Sequence, residues 1–359
     1  MDRPTPILHR IGEAGATLGQ RPPRRRSVRV ALQVGLALLI FGFLVLTVAQ
    51  QWGELQDKGV RFHLIWMLPA FGVLLAFYVL QALGWDLLLR LLGNRLNPVR
   101  AQVAFGQPLL ARYVPGSVLY VLARLVLSER AGVPRRLTLA SIVYEQALSA
   151  AAATAIASYF LISHPDLQDQ PLRWAVLVVV PAAVFILHPR VFGPLANRLL
   201  AAFGRDPLPA TIPLAGIVVM LLYYAIIWAV GGVGVFFVAR SVHDFPISEL
   251  ATVGSAQAFG YLAALVTLVA PAGLGVRDAA FAWAVKAALP SQSFAVGAVI
   301  AIAVRAVLTL AEVCYVGIVT LIGRREARGG MRWAQLAHEE AARTAPADRP
   351  EPQRIANPS

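Results

Sequence analysis

The sequence predicts an all-α integral membrane protein of about eight hydrophobic helices, with broken or re-entrant segments near residues 101–130 and 250–290. Three observations predict it. Hydrophobic residues make up 58% of the 359 and charged residues only 14%, against roughly 45–50% and about 25% in soluble domains. Mean hydropathy is +0.64, and the apolar residues gather into blocks near the roughly 20 residues that span a bilayer. Arginine-rich and arginine-poor connections alternate between those blocks, as they do in multi-pass chains. Such a composition excludes a soluble enzyme and a disordered regulator. The surplus of 32 basic over 19 acidic residues, +13, belongs to loops and tails, so no nucleic-acid partner is expected.

Residues 1–27 form an arginine-rich tail containing Arg24-Arg25-Arg26, followed by the first apolar run, Val28–Gln50. That run is too long for the core of a signal peptide and reads as an uncleaved anchor. Further candidate spans are Leu64–Leu92, Leu137–Ile162, Arg173–His188, Thr211–Arg240, Glu249–Ala270, Val276–Leu289 and Phe294–Ile322. Arg173–His188 and Val276–Leu289 are short, and the latter reads as a half-helix. Residues 28–323 therefore form one membrane domain. The tail 324–359 is polar and contains proline; a surface helix is expected through Trp333 and disorder beyond it. Trp52, Trp66 and Trp85 are expected to be interfacial anchors. The single cysteine, Cys314, excludes an intrachain disulfide.

Arginine placement orients the spans. Seven arginines precede residue 30, eight lie between Arg90 and Arg136, three lie in 190–205, and the tail opens with Arg324 and Arg325. The connections around Glu54–Arg61, His164–Asp169 and His243–Asp244 are short and nearly neutral or acidic. The positive-inside bias puts both termini in the cytoplasm and the protein in the cell (cytoplasmic) membrane as a multi-pass chain. Eight spans satisfy the even count this requires. Six spans plus a re-entrant pair near 250–290 satisfy it equally.

Ionisable groups inside spans are costly and usually face a bundle interior or a cavity. Glu145 lies inside the third span with Ser141 and Ser149 four residues to either side, one polar stripe on an Ala-rich helix. Arg305 and Glu312 are seven apart on the last span and so share a face, with Thr309 between them. A packing clamp and a functional site are both compatible with that spacing. Asp86 and Arg90, four apart, read as a local ion pair.

The two interrupted segments carry a second kind of chemistry. In Arg112-Tyr113-Val114-Pro115-Gly116-Ser117 a Pro-Gly turn precedes a helix on which Ser117, Tyr120, Arg124 and Ser128 share one face. In Pro271-Ala272-Gly273-Leu274-Gly275-Val276-Arg277-Asp278, Gly273 and Gly275 turn the chain just before another helix. Free N–H groups at a helix start, beside an arginine, suit an anion. Interrupted segments in comparable positions of two halves point to a transport site. The plainer reading is a pair of interfacial turns, with Asp278 capping its own helix. The six histidines are scattered, with no metal-ligand spacing, and there is no P-loop and no Ser-His-Asp set. No metal or cofactor is expected.

The run Ala111-Arg112-Tyr113-Val114-Pro115-Gly116-Ser117, then Arg124, Gly132-Val133 and Ser141-Ile142-Val143-Tyr144-Glu145, resembles the lysylphosphatidylglycerol synthase transmembrane family. The second signature, Pro271 to Asp278, is similar to that family's Pro-x-Gly-hydrophobic-Gly-hydrophobic-Arg-Glu motif, with aspartate where glutamate is usual. The resemblance covers roughly residues 28–322. It implies a flippase-like membrane domain and puts the motif on Tyr113, Pro115, Gly116, Arg124, Glu145, Gly273, Gly275, Arg277 and Asp278. In full-length synthases a soluble aminoacyltransferase domain follows; the roughly 36 residues after the last span here are too few for one, so lipid aminoacylation is not expected.

The sequence thus predicts a translocator of a phospholipid or lipid-linked anion between leaflets, with the headgroup on Arg124 and Arg277 and the charge balanced by Glu145 and Asp278. Arg112, Ser117, Arg305 and Glu312 complete the candidate binding set, and no catalytic residue is assigned. Its partners are lipids with anionic headgroups, together with a second copy of the chain or a lipid-modifying enzyme. Two other classes are carried beside it: a membrane enzyme acting on a lipid phosphate, and a non-transporting scaffold for a lipid- or glycan-modifying enzyme.

Overall fold

Long apolar runs form the frame. A computed structural model describes residues 63–113, 118–163, 174–202, 206–208, 211–267, 276–288 and 294–344. The expected first span, 28–50, lies outside these. The described helices are α1 (Leu64–Leu91), α2 (Pro98–Gly106), α3 (Val118–Arg130), α4 (Arg135–Ser163), α5 (Ala175–Leu187), α6 (Pro189–Ala202), α7 (Leu214–Val242), α8 (Leu250–Thr267), α9 (Val276–Ala288) and α10 (Phe294–Thr344). A 3-10 turn, Leu109–Tyr113, follows α2. No strand occurs among the described residues. Within α1, α4, α7 and α10, the stretches Leu64–Leu91, Arg135–Phe160, Leu214–Val242 and Val296–Glu326 are long and apolar enough to cross a bilayer. The protein is therefore an all-α membrane protein, as its composition predicts. One boundary differs: the helix expected to end near Trp333 continues α10 unbroken to Thr344.

Chain direction follows from the packing. α1 runs antiparallel to α7, for Phe237 stacks on Trp66 near one end, while Gly84 faces Tyr223 towards the other. The two backbones are tied at the first end by the His63 N–H to the Ser241 carbonyl, 2.7 Å. α7 and α8 approach more closely still: a Cβ on Gly254 would lie 3.1 Å from the Cα of Gly232. Small residues permit this backbone contact, the usual way apolar helices gain packing where lipid offers no hydrophobic drive.

The opposite end is rich in arginine. Arg100 meets Glu326 at 3.5 Å, Arg136 meets Asp206 at 3.2 Å, and Arg135 meets Glu129 at 2.8 Å. The expected Asp86–Arg90 pair also forms here, at 2.6 Å. Two glycines turn the chain at this end with left-handed backbone, Gly93 at φ +85° and Gly132 at φ +95°. Gly132 closes α3: its N–H bonds the Glu129 carbonyl, and that of Val133 bonds the Ser128 carbonyl at 2.9 Å. The turn sends Val133, 1% exposed, into the core, a physical reason for the Gly-Val step. Gly132→Ala forces a Cβ into that backbone. It is expected to lower stability by about 1 kcal/mol, read as a lower unfolding midpoint in detergent.

Between the long helices, two broken pairs enter from opposite ends. α2 rises from the arginine-rich end antiparallel to α10, with Val103 against Gly323 and Gly106 against Val319, and α3 returns beside α4. α8 descends from the other end beside α7, and α9 returns between α8 and α10, where Gly260 meets the Arg277 carbonyl and Gly297 meets Ala282. Both pairs stop part-way. Asp278 reaches Arg305, which at 1.5 Å per residue is about 17 Å along α10. Arg112 reaches Glu312, about 21 Å back from Glu326 on the same scale. α9, at 13 residues, is about 20 Å long and too short to cross a core of about 30 Å. The described part of 250–290 is thus a broken pair, α8 of 18 residues and the shorter α9.

Trp85 departs from expectation. It is fully buried rather than interfacial, because its indole N–H donates to the Ser141 hydroxyl at 2.9 Å and its ring covers the Arg124 guanidinium at 5.0 Å. Trp66 keeps an end position in the first turn of α1, with the Arg240 guanidinium 4.3 Å above its ring.

Candidate functional site

The two tips meet at one cavity of about 430 Å³. Leu109, Arg112 and Tyr120 reach it from the first broken pair, and Gln257, Tyr261, Arg277 and Asp278 from the second. α1 contributes Tyr78 and Gln81, α4 Glu145, Gln146 and Ser149, α7 Tyr224 and Trp228, and α10 Arg305, Thr309 and Glu312. α3 and α9 both begin next to it, so two helix N-terminal ends flank one polar space.

Charge is arranged in three pairs and one remainder. Arg112 donates to the fully buried Glu312 carboxylate and also to the Tyr78 hydroxyl at 3.2 Å. That hydroxyl donates in turn to Glu312 Oε2, again at 3.2 Å. Arg305 Nη1 lies 3.4 Å from Asp278 Oδ2. Arg124 Nη2 donates to Glu145 Oε2 at 2.5 Å, and Nη1 to the Tyr120 hydroxyl at 2.9 Å. Arg277 lines the cavity with the charges of Asp278, Arg305 and Arg112 acting on it. No carboxylate of the described residues comes within ion-pair distance of it. Among the described residues the three arginines and three carboxylates that line the cavity balance, and Arg124, paired with Glu145 behind the wall, leaves Arg277 as the arginine with no carboxylate of its own.

Arg124 is walled off from this space. It is 0% exposed and its guanidinium carbon sits 4.8 Å from the Phe105 centroid, 5.0 Å from Trp85 and 5.9 Å from Tyr120. A guanidinium is weakly hydrated and stacks well on rings, which suits it to such an enclosure. It does not line the cavity; it holds Glu145, which does. Direct contact of Arg124 with a headgroup, as expected from sequence, does not follow from this placement.

Arg305 and Glu312 share a face and a cavity as their spacing predicts, yet each pairs elsewhere, with Asp278 and Arg112. Asp278 accordingly answers an arginine of α10. The stripe around Glu145 is also divided: Ser141 accepts from Trp85 in the core, while Ser149 lines the cavity and its hydroxyl accepts from the Trp228 N–H at 3.2 Å. Tyr113 is the last residue of the 3-10 turn Leu109–Tyr113. Pro115, Gly116, Ser117, Gly273 and Gly275 lie outside the described residues. Sequence reasoning missed Tyr78, Gln81, Tyr224, Gln257 and Tyr261. The signal available for each was an amide or phenol within an otherwise apolar run.

The family model described as the lysylphosphatidylglycerol synthase TM region matches residues 30–313, which takes in both broken pairs and every candidate residue. No curated protein and no solved structure matches the chain. With most of its length matched, the chain belongs to the lysylphosphatidylglycerol synthase transmembrane family.

Proposed function

We propose that the protein moves a lipid bearing an anionic headgroup, a phospholipid or a lipid-linked phosphate, from one leaflet of the cell membrane to the other. The observation that carries this reading is Arg277, which faces a cavity flanked by two helix starts and has no carboxylate within ion-pair distance among the described residues. Phosphate supplies Arg277 with a counter-charge, gains N–H donors at the helix starts, and matches the planar fork of arginine. Arg112 and Arg305, each paired with a carboxylate, line the same cavity and can turn to a phosphate there. Glu145, fixed by Arg124, gives the opposite wall its negative charge.

The two broken pairs supply the route. Because they enter from opposite ends and touch the same cavity, displacement of one opens it towards one leaflet and displacement of the other towards the opposite leaflet, the logic of alternating access. The arginine-rich end faces the cytoplasm on this reading, with both termini there. A second copy of the chain or a lipid-modifying enzyme remains compatible as a partner.

Mass spectrometry of lipids retained by the purified protein tests the assignment. The wild type is expected to keep one anionic lipid class enriched over the host membrane, and Arg277→Ala to lose that enrichment. Identical lipid profiles for the two proteins would remove the headgroup site.

A further inference from the structure

A second space adjoins the polar one and is of opposite character. Its volume is about 350 Å³, and Leu75, Val79, Val103, Ile318, Val319 and Ile322 of α1, α2 and α10 form most of its wall. The one amide in that wall, Gln102, is engaged: its Oε1 accepts from the Tyr315 hydroxyl at 2.6 Å. Nothing else there offers a hydrogen bond, so the space suits hydrocarbon rather than water or a polar ligand.

No described residue lines both spaces, but a pair of tyrosines links their walls. Tyr78 lines the polar cavity and Tyr315 the apolar one. Their rings stack with centroids 5.9 Å apart and planes 17° apart. On α1 and α10 these two stacked rings lie between the spaces. On α10, Glu312 and Tyr315 are a turn apart; on α1, Tyr78 and Val79 are adjacent. The apolar space opens on the outer surface of the bundle, where Val79 is 38%, Ile318 44% and Ile322 44% exposed. It lies in the half towards the arginine-rich end, since α2 starts there and α10 reaches that end at Glu326.

We infer that this groove holds the hydrocarbon chain of the lipid whose phosphate occupies the cavity, with Tyr78 and Tyr315 parting to connect the two. The inference rests on the headgroup reading above and adds the side on which the lipid enters: between α1 and α10, from the leaflet at the arginine-rich end. A soluble anion could fill the cavity, but only an amphiphile uses both spaces. Continuity with the polar site selects a lipid over a protein helix as the occupant.

Photo-crosslinking in the full-length protein, in membranes, tests it. A benzophenone amino acid is placed at Val79, at Ile318 in a second variant, and at the outward-facing Leu222 of α7 as a control, itself 62% exposed. Adducts at Val79 and Ile318 are expected to be enriched about tenfold in one anionic lipid class relative to Leu222, a ratio set by a modest affinity difference. Arg277→Ala is expected to erase the enrichment. Identical adduct profiles at all three positions would overturn the groove, and so would crosslinks to the chain's own residues 28–50. If Arg277-dependent lipid retention persists while the groove labels only bulk lipid, the groove alone fails. If retention too is indifferent to Arg277, the headgroup site fails with it.

Discussion

Arg277→Ala is expected to stop lipid exchange between leaflets of reconstituted liposomes without weakening the fold. The two halves of this expectation come from the same geometry. Arg277 faces the cavity but has no carboxylate partner among the described residues, so no ion pair is broken when it is removed. Deleting an uncompensated charge from inside a helix bundle relieves a desolvation cost instead. Losing a buried charge-assisted contact to phosphate, by contrast, costs about 2–5 kcal/mol, or roughly thirty-fold and upward in binding. Arg277→Lys keeps the charge but loses the planar fork, and is expected to fall between wild type and alanine. Exchange of a fluorescent anionic lipid, followed beside the unfolding midpoint in detergent, reads both halves. Wild-type exchange in the alanine variant would dismiss Arg277 from the site. Lost exchange with a collapsed midpoint would make it a structural residue.

How far the sequence alone reaches is uneven, and the pattern has physical causes. Span positions were legible because hydrophobic length is a local property: Leu64–Leu92 and Phe294–Ile322 differ from the observed helices chiefly in where α10 stops. The two broken segments were legible for a similar reason, since proline and glycine interrupt helices wherever they fall. Partner identity was not legible. Arg112 and Glu312 are 200 residues apart, and only the antiparallel course of α2 beside α10 brings them together. Arg305 and Glu312 show the division within a single helix: the seven-residue spacing set their common face, while tertiary packing set their partners. Trp85 misled because tryptophan near the end of a span usually marks the interface, and nothing local reveals that Ser141 and Arg124 will accept it in the core. The lone tyrosines and glutamines of the cavity are equally ambiguous until neighbouring helices show which way they face.

The Arg124–Glu145 pair is expected to give the largest stability effects, with opposite outcomes for single and double substitution. Arg124→Met alone strands the Glu145 carboxylate, 6% exposed, beside an aromatic enclosure emptied of its cation. Breaking a buried pair in this way costs about 3–5 kcal/mol, because the remaining charge keeps its desolvation penalty and loses the attraction that offset it. Glu145→Leu alone costs less, since Trp85, Phe105 and Tyr120 still face the guanidinium and the Tyr120 hydroxyl still accepts from Nη1. Methionine fills the enclosure with a flexible apolar side chain that packs well against rings. The double variant Arg124→Met/Glu145→Leu therefore recovers most of the stability lost by Arg124→Met, and unfolding titrations of the four proteins give the coupling energy. Transport is not expected to recover with it, because the cavity has lost the carboxylate that Arg124 holds in place. Additive stability losses would mean that the two side chains act independently. A double variant that is both stable and active would mean that the pair only fixes α3 against α4, and that Glu145 has no part in choosing what the cavity admits.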